Sequence, residues 1–155
     1  MKDPIDKLCS NSVVVNDESG FRALDEVGPK PSNVILAEES YAIVGAAMEV
    51  YYKLGSGFAE PVYQEALEIE FGLRGVQYER EKWLKIDYKG HTLKKEYKAD
   101  FVCFGQIIVE LKAVPQLAPV DWAQIMNYLK VSHLRLGILL NFGSSVRLEQ
   151  KRVII

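Results

Sequence analysis

The 155-residue chain predicts an α/β fold of the α+β kind, a central mixed sheet with helices on both faces in the order αα-βββ-α-β. Three observations carry this. Two consecutive segments, about 41–54 and 61–75, space their apolar residues as helices do. Three strand-like segments follow within residues 76–113, and a further helical segment around Gln124 leads into the mostly apolar run Leu136 to Phe142.

Taken in order, Ile43, Val44, Ala47, Tyr51 and Leu54 recur at helical spacing in the first segment, which Leu54-Gly-Ser-Gly57 then breaks. Pro61 suits the first turn of the next helix, because its missing N–H would lack an intrahelical partner there anyway. Glu60 therefore stands at the helix start, where a carboxylate complements the positive end of the dipole. Val62, Ala66, Ile69 and Leu73 predict the buried stripe of this helix, with Glu70 at its edge as a second candidate acid. Strands are expected from about Val76 to Tyr88 and His91 to Phe104, joined by Lys89-Gly90, and from Ile107 to Ala113. Pro115 and Pro119 mark the loop before the third helix, with Asp121 as its expected N-cap. Gln124 and Tyr128, four apart, stack on one face of it beside Trp122, Ile125 and Leu129. The tail Val146 to Ile155 predicts a short edge strand.

The net charge of −2 is unevenly spread. Residues 1–40 hold four Lys and Arg against eight Asp and Glu, and residues 41–155 hold fifteen against thirteen. The expected organisation is an acidic, loosely ordered extension over residues 1–38 and one globular domain over 39–155. No apolar run is long enough to span a membrane and the N-terminus does not resemble a signal peptide, which suggests a cytoplasmic protein. Cys9 and Cys103 are then expected as free thiols, and His91 and His133 lack a partner at metal-ligand spacing. A homo-oligomer is left open.

The chemistry concentrates in Asp100 to Lys112. Phe101, Val102, Phe104, Ile107, Ile108, Val109 and Leu111 are the filling of a buried hairpin, so Asp100, Glu110 and Lys112 among them need a partner or a metal. Asp100 and Glu110 can hold a hard cation such as Mg²⁺ or Mn²⁺. Lys112 shares a strand face with Glu110 and can act on a water or on a charged phosphorus centre. Alternation makes this a testable geometry. A two-residue turn Gly105-Gln106 would pair Asp100 with Leu111 and separate the carboxylates, whereas a three-residue loop Phe104–Gln106 sets Asp100 opposite Glu110. Lys82, Lys85, Lys94 and Lys95 precede the hairpin, either as a solvated face or as a track for a phosphate backbone.

Two flanking blocks extend the pattern: Gly57-Phe-Ala-Glu60-Pro-Val-Tyr63 upstream and Asp121-Trp-Ala-Gln124-Ile-Met-Asn-Tyr128 downstream. With Tyr88-Lys-Gly90, Glu110-Leu-Lys-Ala113 and Leu139-Leu-Asn-Phe142 between and after them, the chain from roughly Tyr41 onward resembles the GxxExxY group of the PD-(D/E)XK nuclease superfamily. The resemblance implies a restriction-endonuclease-like core and a Mg²⁺- or Mn²⁺-dependent nuclease whose partner is nucleic acid, DNA by analogy. It further implies metal ligation by Asp100 and Glu110, catalysis by Lys112, an accessory acidic or metal-site role for Glu60, and site organisation by Gln124 and Tyr128. Ala99 replaces the proline that gives the superfamily its name. The rival expectation is a catalytically silent domain of the same fold that binds nucleic acid or a protein partner.

Overall fold

The computed structural model describes residues 34–155 in full and, before them, the backbone of residues 12–17 and 20–25. In chain order the elements are β1 (Ser12–Asp17), β2 (Gly20–Asp25), α1 (Ala37–Leu54), α2 (Glu60–Arg74), β3 (Tyr78–Tyr88), β4 (His91–Cys103), β5 (Ile107–Lys112), α3 (Pro119–Ser132), β6 (Leu136–Asn141) and β7 (Glu149–Ile154). Most of the extension expected over residues 1–38, and Cys9 within it, lies outside the described residues. No helix among the described residues is long and apolar enough to cross a membrane.

The strands form one mixed sheet in the order β2-β1-β7-β6-β5-β4-β3. β5 and β6 are parallel, as are β1 and β7, and the remaining neighbours are antiparallel. A parallel pair needs a crossover, and between β5 and β6 α3 supplies it. α1 and α2 pack with the side chains of Phe101, Cys103, Ile107, Val109 and Leu111 on one face, while α3 packs with Val102, Ile108 and Leu139 on the other. α3 lies close to the sheet because β6 carries Gly137, where a Cβ would stand 2.7 Å from Ile125.

Three details differ from the pattern in the sequence. In α2 the buried stripe is Tyr63, Gln64, Leu67 and Phe71, while Val62, Ile69 and Leu73 are 39, 60 and 77 % exposed. Both sets have helical spacing, and the set with two aromatic rings removes more apolar surface from water. Tyr63 is held twice over: its hydroxyl donates to the Gly55 carbonyl at 2.6 Å, and its ring stacks on Phe142 at 4.6 Å. In α3 the N-cap is Ala118, and Asp121 sits three residues in. Its carboxylate reaches back to accept the Ala118 N–H at 2.8 Å, so it satisfies a helix-start donor from inside the first turn. β7 is not an edge strand, since it lies between β6 and β1.

The β3–β4 hairpin turns at Lys89 and Gly90, both at positive φ (48° and 79°). β4 pairs with β5 only through Phe101, Val102 and Cys103, whereas it pairs with β3 along most of its length. The outer part of the hairpin therefore runs past β5 as a two-stranded ribbon.

Candidate active site

The loop between β4 and β5 has three residues, Phe104–Gln106. Phe104 and Gly105 both take positive φ (53° and 65°), and the Gln106 N–H closes the turn on the Cys103 carbonyl at 3.0 Å. The register Phe101↔Val109, Val102↔Ile108, Cys103↔Ile107, continued one step, sets Asp100 opposite Glu110. The odd loop is thus the one that assembles the carboxylates. Ile107, Val109 and Leu111 enter the core beneath α1 and α2, and alternation turns Ile108, Glu110 and Lys112 toward α3.

The Asp100 Oδ2 accepts the Leu111 N–H at 2.8 Å, and the Asp100 N–H reaches Glu110 Oε2 at 3.4 Å. Lys112 Nζ stands 3.7 Å from Glu110 Oε1 and 3.9 Å from Asp121 Oδ1, and donates to Gln124 Oε1 at 2.5 Å. Gln124 Nε2 in turn donates to the Tyr128 hydroxyl at 2.8 Å. Asp100, Glu110, Lys112, Gln124 and Tyr128 therefore form one connected group. Glu70 is not part of it, being paired with Arg74 at 2.6 Å.

A model of the PD-(D/E)XK nuclease superfamily matches residues 37–153. The chain belongs to that superfamily. The match begins at α1 and ends in β7, and the observed sheet with helices on both faces is the restriction-endonuclease-like fold of these nucleases. Among solved structures the chain is similar to the crystal structure of SSO0001, at 19 % identity and a TM-score of 0.47, covering 61 % of this chain and 50 % of that one. The aligned part is thus about half the length of that protein. No curated protein matches the chain.

In this PD-(D/E)XK protein burial dominates the electrostatics of the group. Glu110, 4 % exposed, is pushed up to about 8 by burial first and by the Asp100 charge second, with Lys112 pulling the other way. Asp100 is also raised by burial, against the opposing pull of the Leu111 N–H and Lys112. Glu60, half-buried at the start of α2, is raised by burial and then by Asp100. Three carboxyl groups that each resist ionisation, and that repel one another, are a pocket in need of positive charge. Among the described residues no three His, Cys, Asp or Glu side chains converge closely enough to enclose a metal on their own. Asp100 and Glu110 remain a fitting donor pair for Mg²⁺, which keeps several waters and commonly takes one or two carboxylates plus a phosphate.

Two contributors escape the sequence pattern. Gln64, 8 % exposed on α2, donates through Nε2 to Asp100 Oδ1 at 3.2 Å and accepts from Arg80 Nη2 at 3.2 Å; Arg80 is itself ion-paired with Glu68. This chain of bonds fixes the carboxylate of Asp100 from the side opposite α3. Its only signal in the sequence is a glutamine beside Tyr63, which the competing stripe of α2 masks. Asp121, expected as a cap, also faces Lys112.

The motif around Glu60 has a local cause. Gly57 takes φ 110°, and the Tyr63 hydroxyl accepts the Phe58 N–H at 3.2 Å while donating to Gly55. The tyrosine therefore pins the loop that delivers Glu60. The four lysines, in contrast, do not form one row. Lys82 lies opposite Ala99 and Lys85 opposite Glu96, three residues apart and hence on opposite faces of the ribbon. Lys94 and Lys95 lie in the irregularity across from Ile86, and Lys82 is tied to Glu79 at 2.5 Å.

Proposed function

We propose that the protein is a Mg²⁺- or Mn²⁺-dependent nuclease of the GxxExxY type, hydrolysing phosphodiester bonds of DNA in the cytoplasm, with residues 39–155 as the catalytic domain. The observation that supports it most is the set of Asp100, Glu110 and Lys112 on one sheet face beside Gln124. Asp100 and Glu110 would hold the cation, with Glu60 as an accessory acid on the α2 side. A bound divalent cation supplies Lewis-acid polarisation of the phosphate and makes water a better nucleophile at neutral pH.

The rest falls to the chain's own groups. Gln64 and the Leu111 N–H hold Asp100 in one orientation. Gln124 holds the Lys112 ammonium beside Glu110, where it can meet negative charge growing on the phosphate oxygens. The water oxygen forms the new bond to phosphorus as its proton leaves to a carboxylate or to solvent, and the bond to the sugar oxygen breaks as that oxygen takes up a proton from solvent and leaves as a hydroxyl. Purified protein incubated with linear, circular and single-stranded DNA in Mg²⁺, Mn²⁺ or EDTA tests the proposal, with Lys112→Ala as the control. Cleavage that depends on metal and on Lys112 is expected. Binding without cleavage under every metal condition would instead leave a silent nuclease-fold domain.

A further inference from the structure

A cavity of about 440 Å³ opens between the β4 ribbon and α3, and Lys112 is part of its lining. Its walls decide what it can take. In its wall the rings of Tyr97, half-buried, and Tyr128, 6 % exposed, meet at 5.2 Å and 37°. Val120, 70 % exposed, adds an apolar surface, and the amides of Asn127 and Gln124 sit beside it. Among the described residues Lys112 is the only cation in the lining, and it is already engaged by Gln124 and flanked by Glu110 and Asp121.

A run of phosphates would need several cations here and would instead meet the Asp121 carboxylate. A planar ring with an apolar face and a hydrogen-bonding edge fits each wall: aromatic surface for the face, amide groups for the edge. The space is on the scale of one nucleotide. We propose that this cavity receives an unpaired nucleotide adjoining the scissile phosphate, so that the substrate is single-stranded nucleic acid or a frayed or tailed duplex end. The inference rests on the nuclease reading and names the form of substrate for the same site.

Binding in EDTA separates it from catalysis. Fluorescence anisotropy of the full chain would compare four probes: a single-stranded DNA oligonucleotide, the same sequence as RNA, a blunt duplex, and a duplex with an unpaired tail. The single strand and the tailed duplex should bind about tenfold tighter than the blunt duplex, or more. Tyr97→Ala should remove about tenfold of that advantage while leaving blunt-duplex affinity unchanged, and Tyr97→Phe should keep it. Asn127→Ala, at an exposed position that spares folding, should weaken single strands alone. Preference for single strands of either sugar supports the cavity's role, and the ratio of DNA to RNA names the polymer. Equal affinity for blunt duplex, equal weakening of all probes by Tyr97→Ala, or no binding of single strands overturns the inference. Selective single-strand binding with no cleavage of any probe in Mg²⁺ or Mn²⁺ overturns the nuclease reading alone.

Discussion

The two faces of β5 are built from alternate residues of one six-residue strand and do different work. Ile107, Val109 and Leu111 are fully buried against α1 and α2 in a cluster of aliphatic and aromatic side chains. On the other face Ile108 is equally buried, but Glu110 and Lys112 follow it, and α3 answers with Gln124, Tyr128 and Asp121 rather than with more leucine. One face gains stability by excluding water. The other holds Asp100 and Glu110 where burial disfavours their ionisation, which a cation would relieve.

Substitutions should therefore separate stability from chemistry along a single strand. Lys112→Ala should lower the turnover number by about 10²-fold or more, the scale of losing one transition-state donor, with little change in melting temperature. Leu111→Ala, its immediate neighbour, should do the reverse at first: thermal or urea unfolding should show a loss of about 2–5 kcal/mol. If both variants lost stability alike, the division between the faces would be wrong.

Charge on the functional face predicts a pH signature. Glu110 is raised in the folded protein from 4.5 to about 8, so the stability associated with its neutral form is full below about pH 4.5 and is lost as pH rises through about 8. Unfolding midpoints without metal should fall over that window. Mg²⁺ or Mn²⁺ should flatten the fall by favouring the ionised pair, and Glu110→Gln should flatten it without metal while abolishing cleavage. A metal-free profile unchanged by Glu110→Gln would place the titrating group elsewhere.

Smaller effects test the supports. Gln64→Ala removes a donor to Asp100 and a partner of Arg80, and should raise the Mn²⁺ concentration for half-maximal activity by about 10–100-fold, the range for losing a hydrogen-bonding support behind a metal ligand. Isothermal titration of the same variant should show the same weakening. Smallest of all, Lys85, Lys94 and Lys95 changed to Gln should leave folding alone and reduce the salt slope of DNA binding by about 0.7–0.9 for each phosphate that is no longer neutralised. An unchanged slope would make the ribbon a solvated surface.

The strand order through Ile107–Lys112 and the three described helices are legible in the sequence, because alternation and helical spacing are local properties; the odd loop is not, since Gly105-Gln106 also suits a two-residue turn. The α2 stripe is not, since Val62, Ile69 and Leu73 satisfy the same period as Tyr63, Leu67 and Phe71. Only the fit against Phe142 and Phe101 chooses between them. Asp121 is legible as a residue of the α3 start, and its placement near Lys112 is not.

By itself, then, the sequence determined that Asp100, Glu110 and Lys112 would share a face once the loop held an odd count, because side-chain parity follows from the backbone alone. Tertiary structure decided everything that depends on which helix meets that face. It brought Gln124 of α3 to Lys112 across 12 positions and Gln64 of α2 to Asp100 across 36. Such contacts form between elements whose relative placement is set by packing the whole sheet, and no local pattern in the chain encodes that placement.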